Sequence, residues 1–89
     1  MMRVANPKPT VREFIVENLL LGADTQFGDD DSLLELGALD STAAMELVGF
    51  LEETFSLKVD NSEINPDNFE TLNRIVAFIE SKTALASAA

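Results

Sequence analysis

The 89-residue sequence contains no cysteine, histidine, tryptophan or tyrosine. The missing histidine removes the commonest acid or base near neutral pH, and the missing cysteine removes the thiol nucleophile, the soft metal ligand and any disulfide. A serine hydrolase is disfavoured as well, because no histidine can activate a serine and no Gly-x-Ser-x-Gly turn occurs. Any thiol chemistry must therefore be imported on a cofactor, and we expect a protein that is not itself an enzyme.

Basic residues are scarce, with 6 lysines and arginines against 16 acidic residues and a formal charge of -10. The resulting negative field repels nucleic acid and anionic lipid surfaces but attracts basic protein surfaces. No run approaches the roughly 18 apolar residues of a membrane span, and residues 1–10 lack the apolar core of a signal peptide. We expect a cytoplasmic monomer that binds neither nucleic acid nor membrane.

The length suits one domain, and the hydrophobic fraction of 46% is that of an ordinary globular protein. Residues 1–9 contain two prolines and few apolar residues, and residues 83–89 are mostly small. We expect flexible ends at 1–9 and 83–89 and a folded domain at 10–82.

The first predicted helix begins at Thr10, which has capping-box spacing to Glu13, and ends near Gly22. Its apolar residues recur at helical intervals: Val11, Phe14, Ile15 and Leu19. A long loop then reaches Asp40, and we expect Leu33, Leu34 and Leu36 to anchor it. Loops of this length are more often functional than structural.

The second and strongest predicted helix is capped by Asp40 and ends near Ser56. Its apolar positions are Ala44, Leu47, Val48, Leu51 and Phe55. A short helix capped by Asn65 runs through Phe69, and a final helix capped by Thr71 ends at Lys82, with the stripe Leu72, Ile75, Val76 and Ile79. With no strand-like alternation between them, these elements predict an all-α fold, a small bundle of three main helices and one short helix.

Ser41 directly follows the predicted cap Asp40 and so lies at a helix N-terminus. Unpaired backbone amides and the positive end of the helix dipole would stabilise an anion attached there, such as a phosphodiester. The alternative is that Asp40 and Ser41 only start a helix, since both residue types are favoured there.

The surrounding string resembles the acyl carrier protein superfamily over roughly residues 10–82. The similarity lies in Leu36-Gly37, Asp40-Ser41, Glu46-Leu47, Leu51-Glu52-Glu53, Phe55 and Phe69-Glu70-Thr71-Leu72. The resemblance implies that a phosphopantetheinyl transferase uses coenzyme A to attach 4'-phosphopantetheine to Ser41, and that Asp40 starts the helix and assists the transferase. The carried acyl or aminoacyl group would then be loaded as a thioester by a ligase and used by synthases or transferases in fatty-acid, polyketide, nonribosomal-peptide or related biosynthesis.

Two features depart from the fatty-acid carriers. One more residue separates Gly37 from Ser41 than in those carriers, a spacing that looks more like D-alanyl, peptidyl and specialised free-standing carriers. Thr42 occupies a position where the family usually has leucine, isoleucine or methionine. Both departures bear on which partners the carrier meets.

The face of the second helix opposite its apolar stripe is the predicted partner surface. It consists of Thr42, Met45, Glu46, Gly49, Glu52 and Glu53. Glycine at position 49 costs about 1 kcal/mol of helix propensity relative to alanine, which suggests that a partner or the arm approaches closely there. The acidic residues are equally compatible with a solvated face, and Phe50 and Phe78 either line the mouth of a cargo pocket or complete the packing.

Two other functions compete with the carrier. Asp24 and Glu35 have the spacing of the first and last ligands of a calcium-binding loop, but Gln26, Gly28 and Asp29 do not fit the positions between, so we expect no metal site. An acidic helical docking module without a prosthetic group would explain everything except the surroundings of Ser41.

Overall fold

The computed structural model describes residues 7–19, 27–37 and 39–88, with side chains as far as residue 83. Over these ranges the chain is helical and has no strand, which confirms the predicted all-α bundle. Helix α1 (Lys8–Phe14) passes into a π-helical turn (Ile15–Leu19), and α2 (Ser41–Phe55), α3 (Pro66–Phe69) and α4 (Leu72–Ala88) follow. A 3₁₀ turn at Asn61–Glu63 lies before α3.

Helix α1 begins earlier than predicted. Pro7 is its N-cap, and the Pro7 carbonyl accepts from the Val11 amide at 3.0 Å. Pro9 fits the first turn because a proline there gives up no intrahelical hydrogen bond. The predicted capping box at Thr10 is therefore wrong, since Thr10 lies inside the helix; the predicted stop at Gly22 lies outside the described residues.

Helix α2 has the predicted limits. The Asp40 carboxylate accepts from the Ala43 amide at 2.7 Å, and Ser56 ends the helix in the left-handed conformation with φ 55°. Its predicted stripe faces the core: Leu47, Val48, Leu51 and Phe55 are buried, and Ala44 packs beside them. The Asp40 cap and the buried apolar stripe both favour a helix over the same residues, so local sequence and tertiary packing specify the same limits for α2.

The predicted caps of α3 and α4 are also present. The Asn65 side chain accepts from the Asn68 amide, and the Thr71 hydroxyl accepts from the Arg74 amide, both at 3.1 Å. The predicted end of the last helix at Lys82 is wrong, because α4 continues to Ala88. The Thr83 hydroxyl donates to the Ile79 carbonyl, so it breaks no backbone bond, and the alanines and leucine that follow favour helix.

The core draws side chains from each main helix and from the loop before α2. The largest fully buried side chains are Val11, Ile15, Leu33, Leu47, Leu51, Leu72, Ile75 and Ile79. None of the described helices combines the length and the apolar character that crossing a bilayer requires.

The loop before α2 is fastened to the start of α4. The Leu33 amide donates to the Glu70 carbonyl at 2.8 Å, and the Asp29 carbonyl accepts from the Asn73 amide at 3.0 Å. Leu33 is a buried anchor, as predicted. Leu34 and Leu36 are not anchors, since they are 46% and 39% exposed. Among the described residues of this loop, Phe27 and Leu39 are buried as well.

Arg12 joins the same loop to α1. Its guanidinium donates to the Phe27 carbonyl at 2.8 Å, lies 4.5 Å from the centre of the Phe27 ring, and pairs with the Asp29 carboxylate. Lys8 approaches the same carboxylate at 2.9 Å. Hydrogen bonds from Lys8 and then from Arg12 hold the pKa of Asp29 below its ordinary value of 3.8.

Asp29 should make the fold sensitive to acid. Because its pKa is lowered in the folded chain, the unfolded chain takes up the proton first as the pH falls, and the stability contributed by the ionised carboxylate is lost below about pH 4. We expect Asp29→Asn to melt below the wild type near pH 7, and the difference between them to shrink towards pH 3. Thermal melts across this pH range measure both effects.

Glu53→Gln is the matched control, because it removes the same charge from an exposed position on α2. It should follow the wild-type melting curve at each pH. If Asp29→Asn and Glu53→Gln had the same melting temperatures throughout, the clamp of Lys8 and Arg12 on Asp29 would contribute nothing to stability.

Candidate functional site

Ser41 is the first residue of α2, and its side chain is exposed. The Asp40 carboxylate accepts a hydrogen bond from the Ala43 amide at 2.7 Å, and the Asp40 carbonyl accepts one from the Ala44 amide at 2.8 Å. The amides of Ser41 and Thr42 have no acceptor within the helix, because the first turn of any helix leaves its amides without one. The serine hydroxyl therefore lies beside backbone donors and the positive end of the α2 dipole.

The segment before Asp40 fixes the position of this helix start. Leu33 and Leu39 are buried on either side of a turn in which the Gly37 amide donates to the Leu34 carbonyl at 3.1 Å. Gly37 has φ +76°, a conformation that residues with a side chain rarely adopt. After this exposed turn, Leu39 is buried, whereas Asp40 and Ser41 are exposed.

An open depression lies directly beside the Ser41 hydroxyl. Its volume is about 530 Å³, and its lining residues are Ser41, Thr42, Met45 and Glu46. Met45 is 58% exposed, so this depression presents an apolar side chain to solvent between a hydroxyl and a carboxylate. An isolated exposed methionine is unremarkable, but its position next to Ser41 makes it a candidate contact for a bound partner.

Most of the predicted partner surface lies on this side of α2. Thr42, Met45 and Glu46 line the depression, and Gly49 and Glu53 continue the exposed face at helical spacing. A methyl group added at Gly49 would meet nothing within 4 Å, so no neighbour within the described chain accounts for glycine there.

Glu52 is placed differently from the rest of that surface. Its carboxylate accepts from the Val59 amide at 2.9 Å, and its side chain is partly buried. This hydrogen bond fastens the connection that follows α2. In this structure the Glu52 carboxylate is thus engaged within the chain.

The sequence prediction missed two apolar side chains that precede the serine. Leu34 and Leu36 are exposed in the turn that leads to Asp40. Two exposed leucines within one short turn are candidates for a partner contact. Residue type alone could not reveal this, because an apolar residue in a loop without periodicity is equally suited to anchoring the loop.

The calcium-binding alternative finds no support in the part of the chain that the structure describes. No cluster of three or more acidic side chains in residues 7–19, 27–37 and 39–83 is arranged to hold a metal ion. Asp24 and Gln26, two of the loop positions considered for calcium, lie outside these residues.

Residues 9–79 match the protein family described as "Phosphopantetheine attachment site". The chain belongs to this family. It is 41% identical over 73 residues to the D-alanyl carrier protein of Leuconostoc mesenteroides, a match that covers 80% of this chain and 94% of the relative. The D-alanyl carrier protein of Leuconostoc citreum is 38% identical over 73 residues, with the same coverage, and that of Streptococcus pyogenes serotype M1 is 34% identical over 73 residues, covering 80% and 92%.

One solved structure resembles this carrier fold closely. A chain in a structure described as "Crystal structure of FAD-dependent dehydrogenase" superimposes with a TM-score of 0.71 at 35% identity, covering 78% of this chain and 97% of that chain. The family match and the D-alanyl carrier relatives confirm the predicted membership of the acyl carrier protein superfamily and the predicted likeness to D-alanyl carriers.

The prosthetic group of this carrier family is 4'-phosphopantetheine, and the surroundings of Ser41 suit it. A phosphodiester on an exposed hydroxyl at the start of α2 would face the amides of Ser41 and Thr42. The open depression leaves room beside the hydroxyl for the first atoms of the arm. When bound, the group supplies the terminal thiol that the sequence lacks.

Proposed function

We propose that this chain is a carrier protein that bears 4'-phosphopantetheine on Ser41 and holds an aminoacyl group as a thioester on the arm. The observation that supports this most directly is the exposed Ser41 side chain at the first position of α2, in a chain that belongs to the phosphopantetheine attachment family. We place the carrier domain at residues 10–82, which the family match over 9–79 supports.

In the proposed modification, the Ser41 hydroxyl attacks the phosphorus of coenzyme A that bears the pantetheine. A new P–O bond to Ser41 forms, the phosphoanhydride bond breaks, and adenosine 3',5'-bisphosphate leaves. We assign the base that takes the serine proton to a phosphopantetheinyl transferase, because this chain contains no histidine or cysteine. The carrier contributes the nucleophile and the helix terminus that stabilises the resulting anion.

The cargo that the comparisons favour is D-alanine, because D-alanyl carrier proteins from several bacteria are 34% to 41% identical to this chain. Loading then requires an adenylate-forming ligase, and unloading requires an acyltransferase. We propose that these enzymes dock on the exposed face of α2 through Thr42, Met45, Glu46, Gly49 and Glu53, with basic residues opposite the two carboxylates. Leu34 and Leu36 extend this surface before the helix; Glu52 is already held by Val59.

A second candidate function follows from the solved structure. The matched chain has about the length of this carrier, since the match covers 97% of it. The description of that structure names a FAD-dependent dehydrogenase. Delivery of a carried thioester to a FAD-dependent dehydrogenase is therefore the alternative to D-alanyl transfer.

A loading assay tests the attachment and the proposed D-alanine cargo. The apo protein is first modified with coenzyme A and a broad-specificity phosphopantetheinyl transferase, and then incubated with ATP and a D-alanine-activating ligase. A D-alanyl mass increment that hydroxylamine removes supports the proposed function, with L-alanine as the control substrate. If the protein gained no phosphopantetheine mass under conditions that modify a control carrier, only a docking module without a prosthetic group would remain.

Asp40 has two proposed tasks, which two substitutions separate. Asp40→Ala removes the cap and should cost about 1 kcal/mol of stability, whereas Asp40→Asn keeps a cap of similar strength and should cost only a few tenths. Urea unfolding measures both costs. If the Asp40 charge also assists the transferase, both variants are modified more slowly than the wild type; if only the cap matters, Asp40→Asn is modified at the wild-type rate.

A further inference from the structure

Asp29 connects the loop before α2 to two helices at once. Its carboxylate pairs with the Lys8 ammonium and the Arg12 guanidinium of α1. Its carbonyl accepts a hydrogen bond at 3.0 Å from the amide of Asn73, near the start of α4. The loop is therefore held by α1 and by α4 at the same residue.

Arg12 makes the larger set of contacts on the α1 side. One nitrogen of its guanidinium donates to the Phe27 carbonyl at 2.8 Å, the other donates to the Asp29 carboxylate, and the group lies 4.5 Å from the centre of the Phe27 ring. A planar guanidinium can make these contacts together, whereas a lysine ammonium acts as a point charge. We call the contacts of Arg12 with Phe27 and Asp29 the Arg12 clamp.

Two further contacts hold the loop on the α4 side, between the clamp and Ser41. The Asn73 side-chain amide donates to the Asp30 carboxylate at 2.9 Å. The Leu33 amide donates to the Glu70 carbonyl at 2.8 Å. The part of the loop from the clamp to Leu33 is thus fastened at both ends.

The exposed turn that follows is fixed by its own hydrogen bonds. The Ser32 carbonyl accepts from the Leu36 amide at 3.1 Å, and the Ser32 hydroxyl accepts from the Glu35 amide at 3.2 Å. Because the turn is internally fixed, its position in the molecule depends on how the loop before it is fastened. The placement of the exposed Leu34 and Leu36 side chains therefore depends on the clamp.

From these contacts we infer that Arg12 is a positioning residue for the docking of the enzyme that modifies Ser41. The clamp orders the loop before the enzyme binds. Without the clamp, only the fraction of molecules with a closed loop is ready to bind, and the apparent affinity falls by that fraction. Arg12 lies on α1, outside the proposed docking surface, so its effect passes through the loop. The inference rests on the proposed attachment at Ser41.

The steady-state kinetics of Arg12→Met test this inference. The apo protein is the varied substrate of a phosphopantetheinyl transferase at saturating coenzyme A. We expect the KM for the carrier to rise about three- to tenfold and kcat to stay within about a factor of two, because Ser41 and its helix terminus are unchanged once the complex has formed. Hydrogen exchange should be faster at the Leu33 and Asn73 amides, whose hydrogen bonds fasten the loop.

Arg74→Met is the matched control. Arg74 also donates to a backbone carbonyl, that of Asp67 at 3.3 Å, and pairs with the Asp67 carboxylate at 3.7 Å, but it joins α4 to α3. The two substitutions change the net charge by the same amount, and Arg74→Met should leave KM and kcat near the wild-type values. Ile79→Val, a small truncation in the core, controls for lost stability and should leave KM unchanged as well.

Several results would overturn the inference. They are an unchanged KM in Arg12→Met, a fall in kcat alone, or a rise in KM that Arg74→Met or Ile79→Val shares. Unchanged hydrogen exchange at Leu33 and Asn73 would overturn it too, because the clamp would then not hold the loop. A wild-type protein that stays unmodified beside a modified control carrier would overturn the proposed attachment itself, and the inference with it.

Discussion

Replacing Ser41 with alanine is expected to abolish incorporation of phosphopantetheine from coenzyme A and to leave the fold intact. The substitution removes the only oxygen that the side chain offers as a nucleophile. It removes no packing, because Ser41 is exposed, and it leaves the Asp40 cap on the Ala43 amide in place. The free energy of unfolding should change by no more than about 0.5 kcal/mol, as for other exposed positions.

The neighbouring hydroxyl provides the matched control. Thr42 is exposed at the second position of the same helix and lines the same depression. Thr42→Ala should reach complete modification, even if its docking to the transferase is slower. Intact mass after exhaustive incubation distinguishes the two variants. Full modification of Ser41→Ala, or no modification of Thr42→Ala, would show that the assignment of the attachment to Ser41 is wrong.

Leu51→Ala should be among the most destabilising single substitutions in α2. Leu51 has no solvent exposure and packs in the centre of the core. Truncation of a buried leucine costs roughly 2 to 5 kcal/mol, against a total of roughly 4 to 13 kcal/mol for a chain of this length. At about 4 to 8 °C per kcal/mol, the melting temperature should fall by at least roughly 8 °C.

Met45→Ala controls for the loss of side-chain volume on the same helix. Met45 is 58% exposed, so its truncation should change the stability by no more than about 0.5 kcal/mol. Circular dichroism melts of both variants give the comparison. Equal melting temperatures for Leu51→Ala and Met45→Ala would contradict the assignment of the α2 faces.

Local chemistry made parts of this fold predictable. Asp40, Asn65 and Thr71 were identified as caps because a side-chain oxygen and a nearby amide lie within the same few residues. The inward face of α2 followed from helical periodicity. Thr10 failed as a cap because the proline-containing segment before it also suits a first helical turn, and the structure starts there.

The parts that sequence reasoning missed depend on contacts between distant segments. Nothing local distinguishes Leu34 and Leu36 from Leu33, but only Leu33 reaches the core, where its amide bonds to Glu70. Arg12 forms hydrogen bonds with Phe27 and Asp29, which lie 15 and 17 residues further along the chain. The Glu52 contact with Val59 requires the chain to leave α2 and return, which no periodic pattern records.

Predictability at the candidate site follows the same division. Ser41 and its helix terminus could be located from the order of residues, because the cap and the serine are adjacent. The depression beside Ser41 and the exposure of Met45 required the folded backbone. The packing of Phe50 against Phe14 required the tertiary fold, since these residues lie on different helices.

Fragmentation of the modified protein tests the central claim most directly. Wild-type protein treated with coenzyme A and the transferase is digested, and the phosphopantetheine-bearing peptide is sequenced by tandem mass spectrometry. We expect the modification on Ser41 alone. Its location on Thr42, on Ser32 or on any other hydroxyl, or a protein that remains unmodified beside a modified control carrier, would contradict this account.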